Sequence, residues 1–353
     1  MSRFFSKTHA NLTPYTPGEQ PRGEKLIKLN TNESPFPPPQ SVIAAIARVS
    51  SNLQLYSDPQ GTELRAALAA YHGVAPEQIS LGNGSDETLA FAFAAFGDAE
   101  HSFAFPDITY GFYPVFAALF KVPFTEIPLT DSFEIDFRDY LNLGKNIVIA
   151  NPNAPTGITL PLGDIEQIIK SNPDNIVIID EAYIDFAGEG ASAVPLTARY
   201  DNLLVVRTFS KSRNLAGARL GYAVGNAALI SDLETIRYSF NPYNINSLTL
   251  AAGAAALREN DYYAQNWAEI ARTRSLTISG LRQAGLTVLP SAANFVFAKH
   301  PTLAGPDLLA RLRERGFLVR NLGQPRIRDW LRITIGAAGD MEKLIETIKV
   351  IGG

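Results

Sequence analysis

Three short segments limit what this chain can fold into more than any others: "NIVIANPN" at 146–153, "NIVIID" at 175–180 and "NLLVVRTFS" at 202–210. Each carries a run of Val, Ile or Leu without polar alternation. Such runs fit strands covered on both faces, as in a parallel or mixed sheet between layers of helix. Strand and helix signals alternate ahead of them. "QISLGNG" (78–84) and "HSFAFPD" (101–107) read as strands. "SVIAAIARVS" (41–50), "SDETLAFAFAAF" (85–96) and "YGFYPVFAALF" (110–120) read as helices, with Ser41 a candidate cap for the first. The expected class is α/β, a mostly parallel central sheet flanked by helices.

After about residue 245 the pattern changes. Long helical stretches lead into "ANFVFAKH" (293–300), "GFLVRN" (316–321) and "DWLRITIG" (329–336), an α+β layout. The expected organisation is a large domain over 41–258 and a smaller one over 259–353. Residues 1–40, with "SPFPPPQ" at 34–40, read as an extended arm. A chain of 353 residues is long enough for this division.

Composition excludes several function classes. A net charge of −4 without basic runs does not favour nucleic acid or an acidic membrane surface. The absence of cysteine removes disulfides, thiolate metal sites and thiol nucleophiles. His9, His72, His101 and His300 lack metal-site spacing, so no metal is expected. The opening stretch lacks the apolar core of a signal peptide, and no apolar run approaches a membrane span, so the cytoplasm is the expected compartment.

In open α/β sheets ligands bind beyond the C-terminal strand ends. "QISL" is followed by Gly82-Asn83-Gly84-Ser85-Asp86, a glycine turn opening a helix whose N–H groups face outward and favour an anion. "NIVIA" leads to the turn 151–157, "NIVII" to Asp180, and "NLLVV" to Thr208, Ser210 and Lys211, with Arg219 beyond. Singly, each has an ordinary reading: a helix cap, a turn residue, a solvated lysine or arginine. Together they supply what pyridoxal phosphate requires: a Schiff-base lysine, a carboxylate opposite the pyridinium nitrogen, and a phosphate cup of helix N-terminus, hydroxyls and arginine.

The motifs "YSDPQGTELRAALA" (56–69), "GNGSDE" (82–87), "PDITYGFY" (106–113), "NPNAPTG" (151–157), "IIDEAYIDF" (178–186), "RTFSKSRNLAGARLGY" (207–222) and "LRITIG" (331–336) occur in that order. With "LTPYTPGEQPRGEKLIKLNTNESPF" near the start, the chain resembles the fold-type I aminotransferases that use pyridoxal phosphate, and within them the histidinol-phosphate aminotransferases. The resemblance implies that Lys211 attaches the cofactor and shuttles the substrate proton. It implies that Asp180 pairs with the ring nitrogen, Tyr183 donates to the phenolic oxygen and Tyr110 stacks on the ring. Ser85, Asp86, Thr208, Ser210 and Arg219 would surround the phosphate. Tyr56 would reach the cofactor of a partner subunit in a homodimer, and the arm would belong with the small domain and the dimer contact. Tyr15 would close over the partner's substrate site and Asn30 would line that site. Arg332 would hold the glutamate carboxylate and, with Arg320, the phosphate of histidinol phosphate.

One departure stands out. The family usually has asparagine directly before Pro-Thr-Gly, where it donates to the phenolic oxygen; this chain has Ala154. Asn153 either compensates as a cofactor contact or only bonds its own turn. The implied reaction exchanges histidinol phosphate and 2-oxoglutarate for imidazole-acetol phosphate and glutamate, in histidine biosynthesis. The alternatives are an aromatic amino-acid aminotransferase or a threonine-phosphate decarboxylase. A nicotinamide-dependent dehydrogenase leaves Lys211 unexplained and lacks its glycine fingerprint, and a non-catalytic regulator lacks a DNA-binding segment.

Overall fold

The computed structural model describes residues 2–21 and 25–352; residues 1 and 22–24 of the expected arm, and residue 353, lie outside the described residues. A seven-stranded sheet runs in the order Ile79–Gly82, Gly221–Gly225, Leu203–Thr208, Val177–Asp180, Asn146–Ala150, Phe103–Pro106, Phe124–Ile127. Neighbours pair in parallel except Gly221–Gly225, which is antiparallel to both its flanking strands. The sheet is therefore mostly parallel, as its apolar runs require.

Successive side chains of the inner strands supply two different cores, as the pleat dictates. Ile147, Ile149, Val177, Ile179, Leu203 and Val205 pack in one cluster with Leu64, Leu68, Ile165, Ile168 and Ala252. Val148, Ile178, Leu204 and Val206 pack in the other with Leu89, Phe93, Phe116 and Leu233. The first cluster draws on the helices Thr62–His72, Leu162–Ser171 and Ser247–Ala256; the second on Ser85–Phe96, Tyr113–Phe120 and Ala227–Phe240. The strand Phe124–Ile127 lies at an edge, where exposed Thr125 and Glu126 blunt further pairing.

The first long helix spans Gln40–Val49, with Pro39 rather than Ser41 at its N-cap. The Pro39 carbonyl already accepts from the N–H groups of Val42 and Ile43, which places Ser41 inside the first turn. Proline suits this boundary because it has no N–H to leave unpaired.

A second, antiparallel sheet runs Arg320–Asn321, Trp330–Thr334, Phe295–Lys299, Thr287–Val288. Leu281, Leu308, Leu312, Leu344 and Ile348, from the helices Asn260–Gln283, Gly305–Glu314 and Ala338–Gly352, share its core. The expected single strand at 316–321 divides in two. Phe317–Leu318 pairs in parallel with Ile27–Lys28, while Arg320–Asn321 joins the four-stranded sheet. The arm thus contributes a strand, and Leu29 enters the same core. Among the described residues no helix is long and apolar enough to cross a membrane.

Candidate active site

The register aligns Ala150 with Asp180, and Asp180 with Val206. The residues that follow these strands, together with the glycine turn after Ile79–Gly82, face one cleft. That cleft gathers Ser85, Asp86, Tyr110, Asp180, Tyr183, Thr208, Ser210, Lys211 and Arg219, and with them Tyr15, Asn30, Arg320 and Arg332. Two of the sequence-derived candidates, Tyr56 and Asn153, are not among its lining residues.

Asp180 is 4 % exposed. One carboxylate oxygen accepts from the Tyr113 hydroxyl at 2.9 Å and the other from the Ala182 N–H at 3.1 Å. Burial pushes its pKa up to about 6, with these two hydrogen bonds pulling the other way. A cation placed against it would favour the charged form. Tyr113 was not singled out from the sequence. It sits close behind Tyr110 at the same helix start, and that repeated aromatic was its one local signal.

Lys211 Nζ donates to the Thr31 carbonyl at 2.9 Å and lies 5.9 Å from the Tyr183 ring centre. Burial, and next the positive charge of Arg332, lower its pKa to about 8, against the opposing pull of Glu33. An amine so depressed has a larger neutral fraction near neutral pH and is the better nucleophile.

The anion cradle depends on close backbone approach. Gly84 caps the helix Ser85–Phe96 with a φ of 84°, and no side chain occupies the cap. A Cβ on Gly84 would lie 2.4 Å from Arg219 Nη2, and one on Gly221 would lie 2.3 Å from the Ser85 nitrogen. Only glycine at both positions lets the guanidinium and the helix end meet. Thr208 Oγ1 donates to Ser210 Oγ at 3.0 Å, and Arg219 Nη1 approaches the same oxygen at 3.4 Å. Helix end, hydroxyls and arginine fit a phosphate monoester. The Asp86 carboxylate does not: it accepts from the Tyr110 hydroxyl at 2.6 Å and from Arg219 Nη2 at 2.9 Å. A carboxylate would repel a phosphate, so the part of Asp86 that suits one is its backbone N–H. Burial and then Asp86 hold the Tyr110 phenol well above its ordinary pKa, as a neutral hydroxyl.

Three further candidates are held by specific contacts. Asn153 is not turned toward the cleft. Its Nδ2 donates to the Ile108 carbonyl at 2.9 Å and to Thr156 Oγ1 at 3.2 Å, and its Oδ1 accepts from Thr109 Oγ1 at 2.8 Å. The side chain ties its own turn to a neighbouring loop. Tyr15 lines the cleft of its own chain: its ring stacks on Phe112 at 4.2 Å and stands 6.3 Å from Tyr110. Arg320 is held by the arm, donating to the carbonyls of Thr16 at 2.8 Å and Pro17 at 3.2 Å, which fixes it at the cleft beside its cross-strand partner Arg332.

Asn30 donates to the Glu19 carbonyl at 2.8 Å, and its Oδ1 is buried without a partner among the described residues. Arg332 Nη2 donates to the Asn30 carbonyl at 3.1 Å while its Nε is buried and unpartnered among them. Asn32, which the sequence reading passed over, lines the cleft and donates from Nδ2 to the Tyr183 hydroxyl at 3.0 Å. Tyr56 is 82 % exposed and stacks on Tyr243 at 4.5 Å.

Comparison with known proteins gives a consistent picture. The family model described as "Aminotransferase class I and II" matches residues 24–351. Histidinol-phosphate aminotransferase 1 of Bradyrhizobium diazoefficiens is 48% identical, covering 99% of both chains. Histidinol-phosphate aminotransferase 2 of Dechloromonas aromatica is 48% identical over 100% of both. Among solved structures, the histidinol-phosphate aminotransferase of Sinorhizobium meliloti in complex with pyridoxal-5'-phosphate superposes with a TM-score of 0.86 at 27% identity, covering 93% of each chain.

Proposed function

The chain belongs to the class I and II aminotransferases, and on that premise we propose that it is a pyridoxal-phosphate enzyme exchanging histidinol phosphate and 2-oxoglutarate for imidazole-acetol phosphate and glutamate. The observation that carries this reading is the convergence on one cleft of a depressed lysine, a buried carboxylate, an anion cradle and a pair of arginines. The donor set fits the cofactor at each of its polar ends. Arg219, Ser210, Thr208 and the N–H groups of Ser85 and Asp86 suit the phosphate, Asp180 the ring nitrogen, and Lys211 the aldehyde carbon.

When bound, pyridoxal phosphate supplies an electron sink that lets the substrate Cα–H bond break heterolytically. Asp180 holds a proton at the ring nitrogen, and Tyr113 and the Ala182 N–H fix the carboxylate for that task. Lys211 would take the proton from the substrate Cα and return it on the cofactor side; its depressed pKa suits both directions near neutral pH. Tyr110, anchored by Asp86, would pack against the ring. Tyr183 would donate its hydroxyl hydrogen to the phenolic oxygen. Arg332 binds the carboxylate of glutamate or 2-oxoglutarate, and Arg320 joins it on the phosphate of histidinol phosphate, which offers oxygens enough for two guanidinium groups. Tyr15 and Asn30 complete the substrate side of the cleft.

The same reading takes the working form as a cytoplasmic homodimer, with an arm over 1–40, a large domain over 41–258 and a small domain over 259–353. Exposed Leu53, Leu55, Tyr56, Phe240 and Tyr243 support a subunit interface, because large apolar side chains grouped around a stacked tyrosine pair favour burial. Tyr56 would then reach the partner's phosphate cradle. The test compares kcat/KM for amino transfer to 2-oxoglutarate from histidinol phosphate, tyrosine and phenylalanine. A preference of at least about tenfold for histidinol phosphate is expected, from one added charge-assisted contact. A preference for the aromatic amino acids would assign the chain to aromatic transamination instead.

A further inference from the structure

Ala154 lines the cleft at 3 % exposure and has no side-chain donor. Asn153 beside it is committed to its turn. The position next to the phenolic oxygen has therefore lost a hydrogen-bond donor, and Tyr183 is left to act there. Resting on the cofactor reading above, we propose that Asn32 is a positioning residue for the Tyr183 hydroxyl and takes over the part that Ala154 cannot play.

The argument follows from where the hydrogens are. A tyrosine hydroxyl has one hydrogen to donate and lone pairs to accept. Asn32 Nδ2 donates to the Tyr183 oxygen at 3.0 Å, so the tyrosine is the acceptor in that contact and its own hydrogen remains available. Among the described residues no acceptor takes that hydrogen, and Tyr183 lines the cleft. Asn32 thus turns the hydroxyl so that its donor side faces the cavity, and its dipole strengthens that donor.

The orientation of the Asn32 amide follows from Thr334, whose hydroxyl hydrogen has no acceptor among the described residues other than Asn32 Oδ1. Thr334 Oγ1 donates to Asn32 Oδ1 at 3.2 Å, which leaves the nitrogen end for Tyr183. The same Thr334 oxygen accepts from the Asn32 backbone N–H at 2.9 Å, and Asn294 Nδ2 donates to the Asn32 carbonyl at 2.9 Å. Asn32 is 1 % exposed and adopts a left-handed φ of 55°, a conformation that Asn and Gly accept more readily than other residues. Tyr183 is itself braced by edge-on contact with Phe295 at 5.1 Å. Donor, acceptor and supports are all buried, where a misdirected polar group is costly.

The test uses the holoenzyme and reads the pH midpoint of its visible absorbance, which reports the nitrogen joining Lys211 to the cofactor. A donor on the phenolic oxygen lowers that nitrogen's affinity for its proton. Asn32→Gly, which keeps the left-handed backbone, is expected to raise the midpoint by about one pH unit. Tyr183→Phe should raise it at least as far, and the double variant should match Tyr183→Phe alone, because Asn32 acts through the hydroxyl. Ala154→Asn placed on Asn32→Gly should return the midpoint toward its starting value. Asn32→Asp is isosteric and keeps the bond from Thr334. Its carboxylate would capture the Tyr183 hydrogen, so the midpoint should rise here too, but not in the Tyr183→Phe background. Should Asn32→Gly not fold, Asn32→Asp with and without Tyr183→Phe decides alone. An unchanged midpoint in the folded Asn32 variants overturns the proposal, and so does a shift that persists at full size in the Tyr183→Phe background. A wild-type protein without visible absorbance would instead overturn the cofactor reading, so the two failures are distinct.

Discussion

The floor and the roof of the cleft are built on opposite principles. On the floor, groups that follow the strands of the large sheet are already paired: Asp180 with Tyr113 and Ala182, Arg219 with Asp86 and Ser210. On the roof, which the arm and the small sheet supply, Asn30 Oδ1 and Arg332 Nε are buried without partners among the described residues, and Arg320 hangs from two carbonyls of the arm. A saturated floor is preorganised and suits a group that stays through every turnover. A roof with spare donors and acceptors suits ligands that come and go. On the proposed function the contrast matches cofactor chemistry to one surface and substrate choice to the other, and substitutions on the two should fail in different ways.

The largest effect belongs to the floor. Lys211→Ala should cut turnover by roughly ten-thousand-fold or more, since it removes both nucleophile and proton shuttle. Near-normal turnover in that variant, measured with a folded protein, would break the contrast at its root. Asp180→Asn should lower kcat by roughly a hundred- to a thousand-fold and leave KM almost unmoved, because its charge matters most as negative charge develops on the ring. Steady-state kinetics that show only a KM change would make Asp180 a turn residue. On the roof, Arg320→Ala should lower kcat/KM for histidinol phosphate by roughly ten- to a hundred-fold, the range of one hydrogen bond to a charged group, while cofactor retention and the glutamate reaction change little. Equal losses for both substrates would erase the division of labour.

The smallest effect is one of stability. Burial and Arg332 hold the Lys211 pKa at about 8 instead of 10.5, so the folded cofactor-free protein resists carrying this charge. The penalty is complete below about pH 8, where the lysine is protonated in both folded and unfolded chains, and it disappears as pH rises toward 10.5, where neither is. Lys211→Met should therefore melt about 2–4 °C higher than the cofactor-free wild type at pH 7, with the gap closing above pH 10. A gap that is constant with pH would show that packing, not charge, sets it.

The same division governs what the sequence disclosed. Asp180, Lys211 and the glycine turn at 82–84 were legible because each follows a short apolar strand whose direction and burial are unmistakable. The roof offered no such guide. Asn32 finds its partners in Tyr183 and Thr334, far along the chain, and nothing in "NTNESPF" separates it from Asn30. Asn153 illustrates the converse. It stands one position from where the family keeps a donor, yet neighbouring residues in a turn point in unrelated directions, and its amide was taken by Ile108 and Thr156. Ser41 misled for a similar reason, since the cap was decided by the proline run before it.

The contact between Asn32 and Thr334, 302 residues apart, also sets the order in which a ribosome can finish this protein. At synthesis rates of roughly 5–20 residues per second, the early-made asparagine waits about 15–60 s for its threonine to emerge. The strand Ile27–Lys28 must likewise wait for Phe317–Leu318. Through that interval the large sheet can form, but the nascent chain has a floor without a roof. Its exposed N-terminal segment, with an unpaired strand edge, is where an early folding helper or a misdirected neighbour would first take hold.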